Sequence, residues 1–384
     1  FTLRIIYFFS IILYFFYYFT KNNKILLPKS RYLLIGLFIV VVLVNSLQGV
    51  VRFNSLEYFV MDFIPIFEFI LFYFIATISF TKYRVYSAQK IINYLFIYIG
   101  IVALMNVLLY VYASKNILSD FGALKALVGG VTVNRLMDFI IPLFFPLTLI
   151  VSFHGKKKYL HFLLIALLSV LIVLTFFRTI YLAAIVGVFV ILFFNGFLKS
   201  KIISKLVKVG IIAFPLILIF NSIFSNLFDL GLDINFGGIF YERISSIFVF
   251  SDTSTTFSKY SRLDQYNDLD KIFSFFPLGH GMGAFLGNDP VSVMSNYFVS
   301  LFILVGFPGG LIFMILIIKA FFNYYSINKQ SKNQRGITIF SSAALSILSM
   351  IIIIFIFFPY VKYFPIMMIL GFILGFSNVI GKRV

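Results

Sequence analysis

Eleven long apolar runs dominate this chain, at about 3–19, 32–51, 58–80, 91–112, 136–153, 159–177, 179–197, 209–227, 296–320, 337–358 and 364–380. About 20 apolar residues in a helix cross roughly 30 Å of hydrocarbon, so runs of this length read as membrane spans. None alternates as a barrel strand does. A lipid-exposed backbone must satisfy its own hydrogen bonds, so the expected fold is an all-α, polytopic transmembrane helical bundle. Composition agrees: 61% of the 384 residues are hydrophobic and 11% charged, against about 25% charged in a soluble domain. That balance excludes a soluble enzyme, a nucleic-acid binder and a disordered chain.

The net charge of +18 must then be read loop by loop. Lys21, Lys24, Lys29 and Arg31 follow the first run, and Lys82, Arg84 and Lys90 the third. Lys156, Lys157 and Lys158 follow the fifth, and Lys199, Lys201, Lys205 and Lys208 the seventh. Lys319, Lys329, Lys332 and Arg335 follow the ninth, and Lys382 and Arg383 close the chain. Twenty of the 31 basic residues thus fall on alternate connections that hold no Asp or Glu. The positive-inside rule makes that side cytoplasmic, and orientation and anionic-lipid contact explain the charge without nucleic acid. The alternation puts Phe1 outside. A cytoplasmic start would add an odd number of spans, most simply one, for twelve in the intact protein.

Cysteine is absent and only three histidines occur, without metal-ligand spacing; no disulfide, thiolate nucleophile, zinc centre or cofactor is expected. Polar chemistry concentrates in an external segment at about 228–295, which holds eight of the 13 acids. A connection of that length is functional or unstructured. Here Ser261-Arg-Leu-Asp reads as a helix start, and Leu263, Tyr266, Leu269, Ile272, Phe273 and Phe276 follow at helical spacing. The pattern predicts an amphipathic helix at the outer interface, and Phe240–Phe248 around Glu242 and Arg243 repeats it on a smaller scale. The chain is expected to be one membrane domain, 1–384, carrying 228–295 as a structured external loop.

The order of motifs carries a family resemblance. Thr175-Phe-Phe-Arg178-Thr179 stands at an external hairpin, then Ser261-Arg262-Leu263, then Pro277-Leu-Gly279-His280-Gly281-Met-Gly283. Ser295-Asn296-Tyr297 follows at re-entry, and Val305-Gly306-Phe-Pro308-Gly309-Gly310 within the next span. This order resembles the O-antigen polymerase/ligase superfamily, the Wzy-type polysaccharide polymerases and O-antigen ligases, over residues 170–320. The resemblance implies a GT-C-like, metal-independent membrane glycosyltransferase in a bacterial cytoplasmic membrane. Its donor and acceptor would be polyprenyl-diphosphate-linked oligosaccharides, its product an O-antigen, capsule or exopolysaccharide, and its partners a flippase and a chain-length regulator. Ligase relatives carry His directly before the re-entry Asn; here Ser295 stands there, which favours the polymerase. Ligase and exporter remain the alternatives.

Each candidate has two readings. Arg178, Arg243 and Arg262 suit a diphosphate, because a guanidinium offers a fork of donors and fixed positive charge stabilises a departing anion. Equally, Arg178 is an interfacial residue reaching toward water, and the other two form exposed ion pairs. Gly279, Gly281 and Gly283 suit an anion-binding nest or a tight turn. Glu242, Asp264 and His280 are candidate bases for the attacking hydroxyl. Glu68, within the third run, is a carboxylate at membrane depth and so a functional candidate. Arg135 is expected to open the fifth span and pair with Asp138 at i,i+3. Asn296 marks re-entry, and the Gly306–Gly310 stretch is expected to kink and pack closely.

Overall fold

The computed structural model describes residues 32–52, 54–82, 97–108, 123–128, 131–136, 140–154, 158–175, 177–194, 277–286, 289–290, 296–330, 335–357 and 364–380. The runs at 3–19 and 209–227 lie outside them, as does most of the external loop with Glu242, Arg243, Arg262 and Asp264.

The described helices are α1 (Leu33–Val51), α2 (Leu56–Lys82), α3 (Ile97–Leu108), α4 (Ile140–His154), α5 (Lys158–Leu174), α6 (Arg178–Phe194), α7 (Tyr297–Gln330), α8 (Arg335–Phe357) and α9 (Phe364–Ile380). Four of them, α1, α2, α7 and α8, are long and apolar enough to cross a membrane. α8 is buried over most of its length, whereas α1 keeps an outward face: its Leu43, Leu47, Val50 and Val51 are exposed, as lipid-facing side chains are.

Two short antiparallel hairpins accompany the helices, and the described fold is helical as expected. One pairs β1 (Ala123–Val128) with β2 (Val131–Leu136), and the other pairs β3 (Phe285–Leu286) with β4 (Asp289–Pro290). The first corrects the reading of Arg135. It sits in β2 opposite Leu124, and α4 begins only at Ile140. Arg135 therefore stands in a strand and does not open a helix; Asp138, its expected i,i+3 partner, lies outside the described residues.

Residues 297–330 read as one span but form two arms. Gly306 has φ 72° and ψ 175°, a non-helical break. Tyr297 and Phe313 are sixteen residues apart, about 24 Å along a straight helix at 1.5 Å per residue. Their rings nevertheless stand 6.2 Å apart. The helix therefore turns back on itself at Gly306, and residues 297–305 run alongside the beginning of 307–330. Gly310 packs under the Phe302 ring in the same way: a Cβ there would lie 2.5 Å from it.

The core assembles around this hairpin. Phe38 of α1, Phe69 of α2 and Phe313 meet at centroid separations of 5.3–5.8 Å, and Tyr297 adds Phe355 of α8 at 4.6 Å. Offset and edge-on rings at these distances are the favoured aromatic geometries. The tightest helix seam lies between α2 and α9. There Gly371 and Gly375, four residues apart, let the α9 backbone approach Phe69 O and Tyr73 O, where Cβ atoms would sit at 2.3 and 2.2 Å. Small residues at this spacing are the usual way for membrane helices to gain contact when lipid removes the hydrophobic drive.

At the other end of α7, Asn328 joins three helices. Its amide donates to Phe194 O at the end of α6 (3.3 Å), and its oxygen accepts from Ser341 (3.4 Å) and Ser342 (3.2 Å) of α8. Ser346 adds a bond to Gly187 O of α6 at 2.7 Å. These contacts fix the direction of α6. Its Phe194 end lies with Asn328 near Lys329, so its first residue, Arg178, lies at the opposite end of the bundle, the end of the Gly306 turn.

Candidate functional site

The polar groups at that end are organised by a problem in backbone hydrogen bonding. A helix ending at Val305 leaves its last carbonyls unpaired, and one restarting at Phe307 leaves its first amides unpaired. Inside a membrane protein such groups must find partners. The segment 277–283 supplies them. The amides of His280 and Gly281 donate to Ile303 O (2.6 Å) and Leu304 O (3.2 Å), and Pro277 O accepts from the Phe307 amide at 3.1 Å. The third carbonyl, Val305 O, is taken by the Asn45 side-chain amide of α1 at 3.1 Å. One short stretch thus caps both arms.

The turn between α1 and α2 holds the same stretch from the other side. Asn54 donates to Met282 O (2.9 Å) and His280 O (3.4 Å), and Arg52 donates to His280 O at 3.3 Å. Asp62, in the second turn of α2, accepts from the Gly283 amide at 2.9 Å. Asp62 is 6% exposed. A buried carboxylate is costly without donors, and this bond is charge-assisted, the stronger kind.

Glycine is required here for two distinct reasons. Gly306 adopts φ 72° with ψ 175°, a region open essentially to glycine alone. Gly283 has φ 75° and faces the first turn of α2, where a Cβ would lie 2.6 Å from Ser55 O and 2.8 Å from Phe59 N. The spacing that suggested an anion nest thus serves close packing of backbones. The amides of Gly281 and Gly283, which a nest would use, donate to Leu304 O and Asp62.

The remaining candidates fall as follows. His280 has its amide and carbonyl engaged and is partly exposed at the bundle end. Asn296 is the N-cap of α7, its side-chain oxygen accepting from the Val299 amide at 3.2 Å; this is the ordinary work of Asn at a helix start. Glu68 is 2% exposed, covered by protein next to Phe69. Arg178 is the first residue of α6, after a tight connection in which Thr175 and Tyr181 bond Ile172 O and Val173 O at 2.7 Å. The sequence places Arg178 and His280 in external connections and Gly306 within a span; in the structure the helix directions set Arg178, His280 and the Gly306 turn at one end of the bundle. Sequence reasoning missed Asn45, Arg52, Asn54 and Asp62. Asn45 and Asp62 carried a signal, since each is a polar group inside an apolar run.

Tyr297, 6% exposed, adds a buried hydroxyl that has no hydrogen-bond partner among the described residues. The described residues contain no cluster of His, Asp and Glu suited to a metal ion. Comparison with known proteins gives no match among family models, curated proteins or solved structures.

Proposed function

We propose that the protein is an integral membrane glycosyltransferase that polymerises polyprenyl-diphosphate-linked oligosaccharide repeat units into a surface polysaccharide. A hydroxyl of the acceptor glycan attacks the anomeric carbon of the donor. The new glycosidic bond forms as the bond to the diphosphate oxygen breaks, and polyprenyl diphosphate departs. Glu242, Asp264 or His280 takes the hydroxyl proton, and Arg178, Arg243 and Arg262 neutralise the departing charge. Fixed guanidinium groups do this without a metal. The long loop stands on the extracytoplasmic side, and the lipid tails of both substrates run between outward-facing apolar helices.

One observation carries this reading: Arg178, the end of the long loop with His280, and the reversal at Gly306 share the end of the bundle opposite Lys329. Those of the resembling motifs that fall among the described residues lie at this end; Ser261-Arg262-Leu263 lies outside the described residues. The test is product length. Arg178→Lys, Arg243→Lys and Arg262→Lys keep the charge and lose the fork. Each is expected to shorten polymer at least tenfold at equal protein level. Normal polymer in all three removes the diphosphate assignment. Repeat units trapped on lipid inside the cell after loss of the protein would indicate an exporter, and long chains left unattached to their acceptor a ligase.

A further inference from the structure

Asp62 makes no use of its charge in the reading above, yet its cost has to be offset. Three features define its surroundings. Its oxygen holds the Gly283 amide at 2.9 Å in a buried bond spanning 221 residues. Gly283 is two residues after Gly281 and three after His280, whose amides cap the first arm of α7. Asn54, on the same turn, binds the carbonyls on either side of Gly281. The α1–α2 turn thus meets the backbone of 280–283 with a matched set of donors and one acceptor.

We propose that Asp62 is a positioning residue for the candidate site: through Gly283 it seats the end of the long loop, and with it His280, on the Gly306 reversal. The function so served rests on the glycosyl-transfer reading. The geometry leaves little freedom. Gly283 has no room to shift toward α2, where Ser55 O and Phe59 N already lie at contact, and α1 closes the other side, with Gly49 against Met282 O. If the Asp62 bond is lost, the amide is buried without a partner, and the segment relieves that cost by leaving its seat. His280 and both arm caps move with it.

The chain has no cysteine, so one introduced thiol reports the seat. Ala284 is 4% exposed next to Gly283, and Ala284→Cys is a small change. In the seated state a charged maleimide labels it slowly. Adding Asp62→Leu, similar in volume and without an acceptor, is expected to speed labelling at least tenfold and to shorten polymer. Asp62→Asn retains an acceptor oxygen and is expected to keep both within about twofold of the parent. Where Asp62→Leu does not accumulate, Asn54→Ala in the Ala284→Cys background is expected to speed labelling at least threefold. Labelling at the parental rate in either variant overturns the seat. Fast labelling with polymer of normal length leaves the seat standing and refutes the glycosyl-transfer role instead.

Discussion

Replacing Gly306 with alanine tests the reversal in α7 directly. A Cβ at this position would stand 2.5 Å from Gly279 N and 2.6 Å from Pro277 O. Both are backbone atoms and cannot swing aside as a side chain would. The conformation at φ 72° and ψ 175° costs a non-glycine residue about 1–3 kcal/mol. Relief of the clash means moving 277–279 away. That loosens three bonds, His280 N to Ile303 O, Gly281 N to Leu304 O and Phe307 N to Pro277 O, each worth about 1 kcal/mol net. The sum is about 4–6 kcal/mol, roughly a thousandfold or more in the folding equilibrium. The control is Gly36→Ala in α1, where a Cβ meets nothing within 4 Å. Helix propensity alone predicts that this change gains up to about 1 kcal/mol. Unfolding of the purified protein in mixed detergent micelles, followed by loss of helical signal, measures both. If Gly306→Ala unfolds within about 1 kcal/mol of the parent, the folded-back arm is not there and the capping argument fails.

Two further substitutions test the packing that supports the site. Gly371→Ala with Gly375→Ala places Cβ atoms 2.3 and 2.2 Å from backbone carbonyls of α2; overpacking of this kind is expected to cost about 3 kcal/mol in the same assay, whereas Gly100→Ala, with open space around it, should be near neutral. Asn328→Leu removes the bonds to Phe194 O, Ser341 and Ser342. It is expected to cost about 1 kcal/mol, the scale of interhelical hydrogen bonds in membranes, because Ser341 keeps Thr338 O as an acceptor.

Among the described residues the apolar helices were legible because hydropathy is a local property and lipid demands it continuously. The last run, 364–380, matches α9 at both ends, and the run at 179–197 lies within a few residues of α6. The reversal was not legible in the same way. Tyr297–Val305 and residues 307–318 are both predominantly apolar, and hydropathy does not register a change of direction. Gly306 and Pro308 signalled a kink but not an angle, which the ring of Tyr297 against Phe313 fixes. The hairpin at 123–136 had a signal that the helix reading of Arg135 overrode. Gly129-Gly130 separates two short runs, the second rich in β-branched residues, and Gly-Gly is a favoured two-residue hairpin turn. Asp62 was visible as an acid in an apolar run. Its partner was not, because nothing in the local sequence links α2 to a glycine 221 residues away.

That separation has a consequence for biogenesis. Ribosomes deliver α1 and α2 to the bilayer long before residues 277–330 exist, so Asn45 and Asp62 enter the membrane ahead of the groups that will satisfy them. Until then the nascent chain carries a carboxamide and a carboxylate in the α1–α2 hairpin without those partners, a natural handle for insertion factors. Contacts this distant in sequence form late. The seat of 280–283 would therefore close only once residues 277–330 have been made, and a chain cut short before Tyr297 would present quality control with an open, polar wound at that end of the bundle.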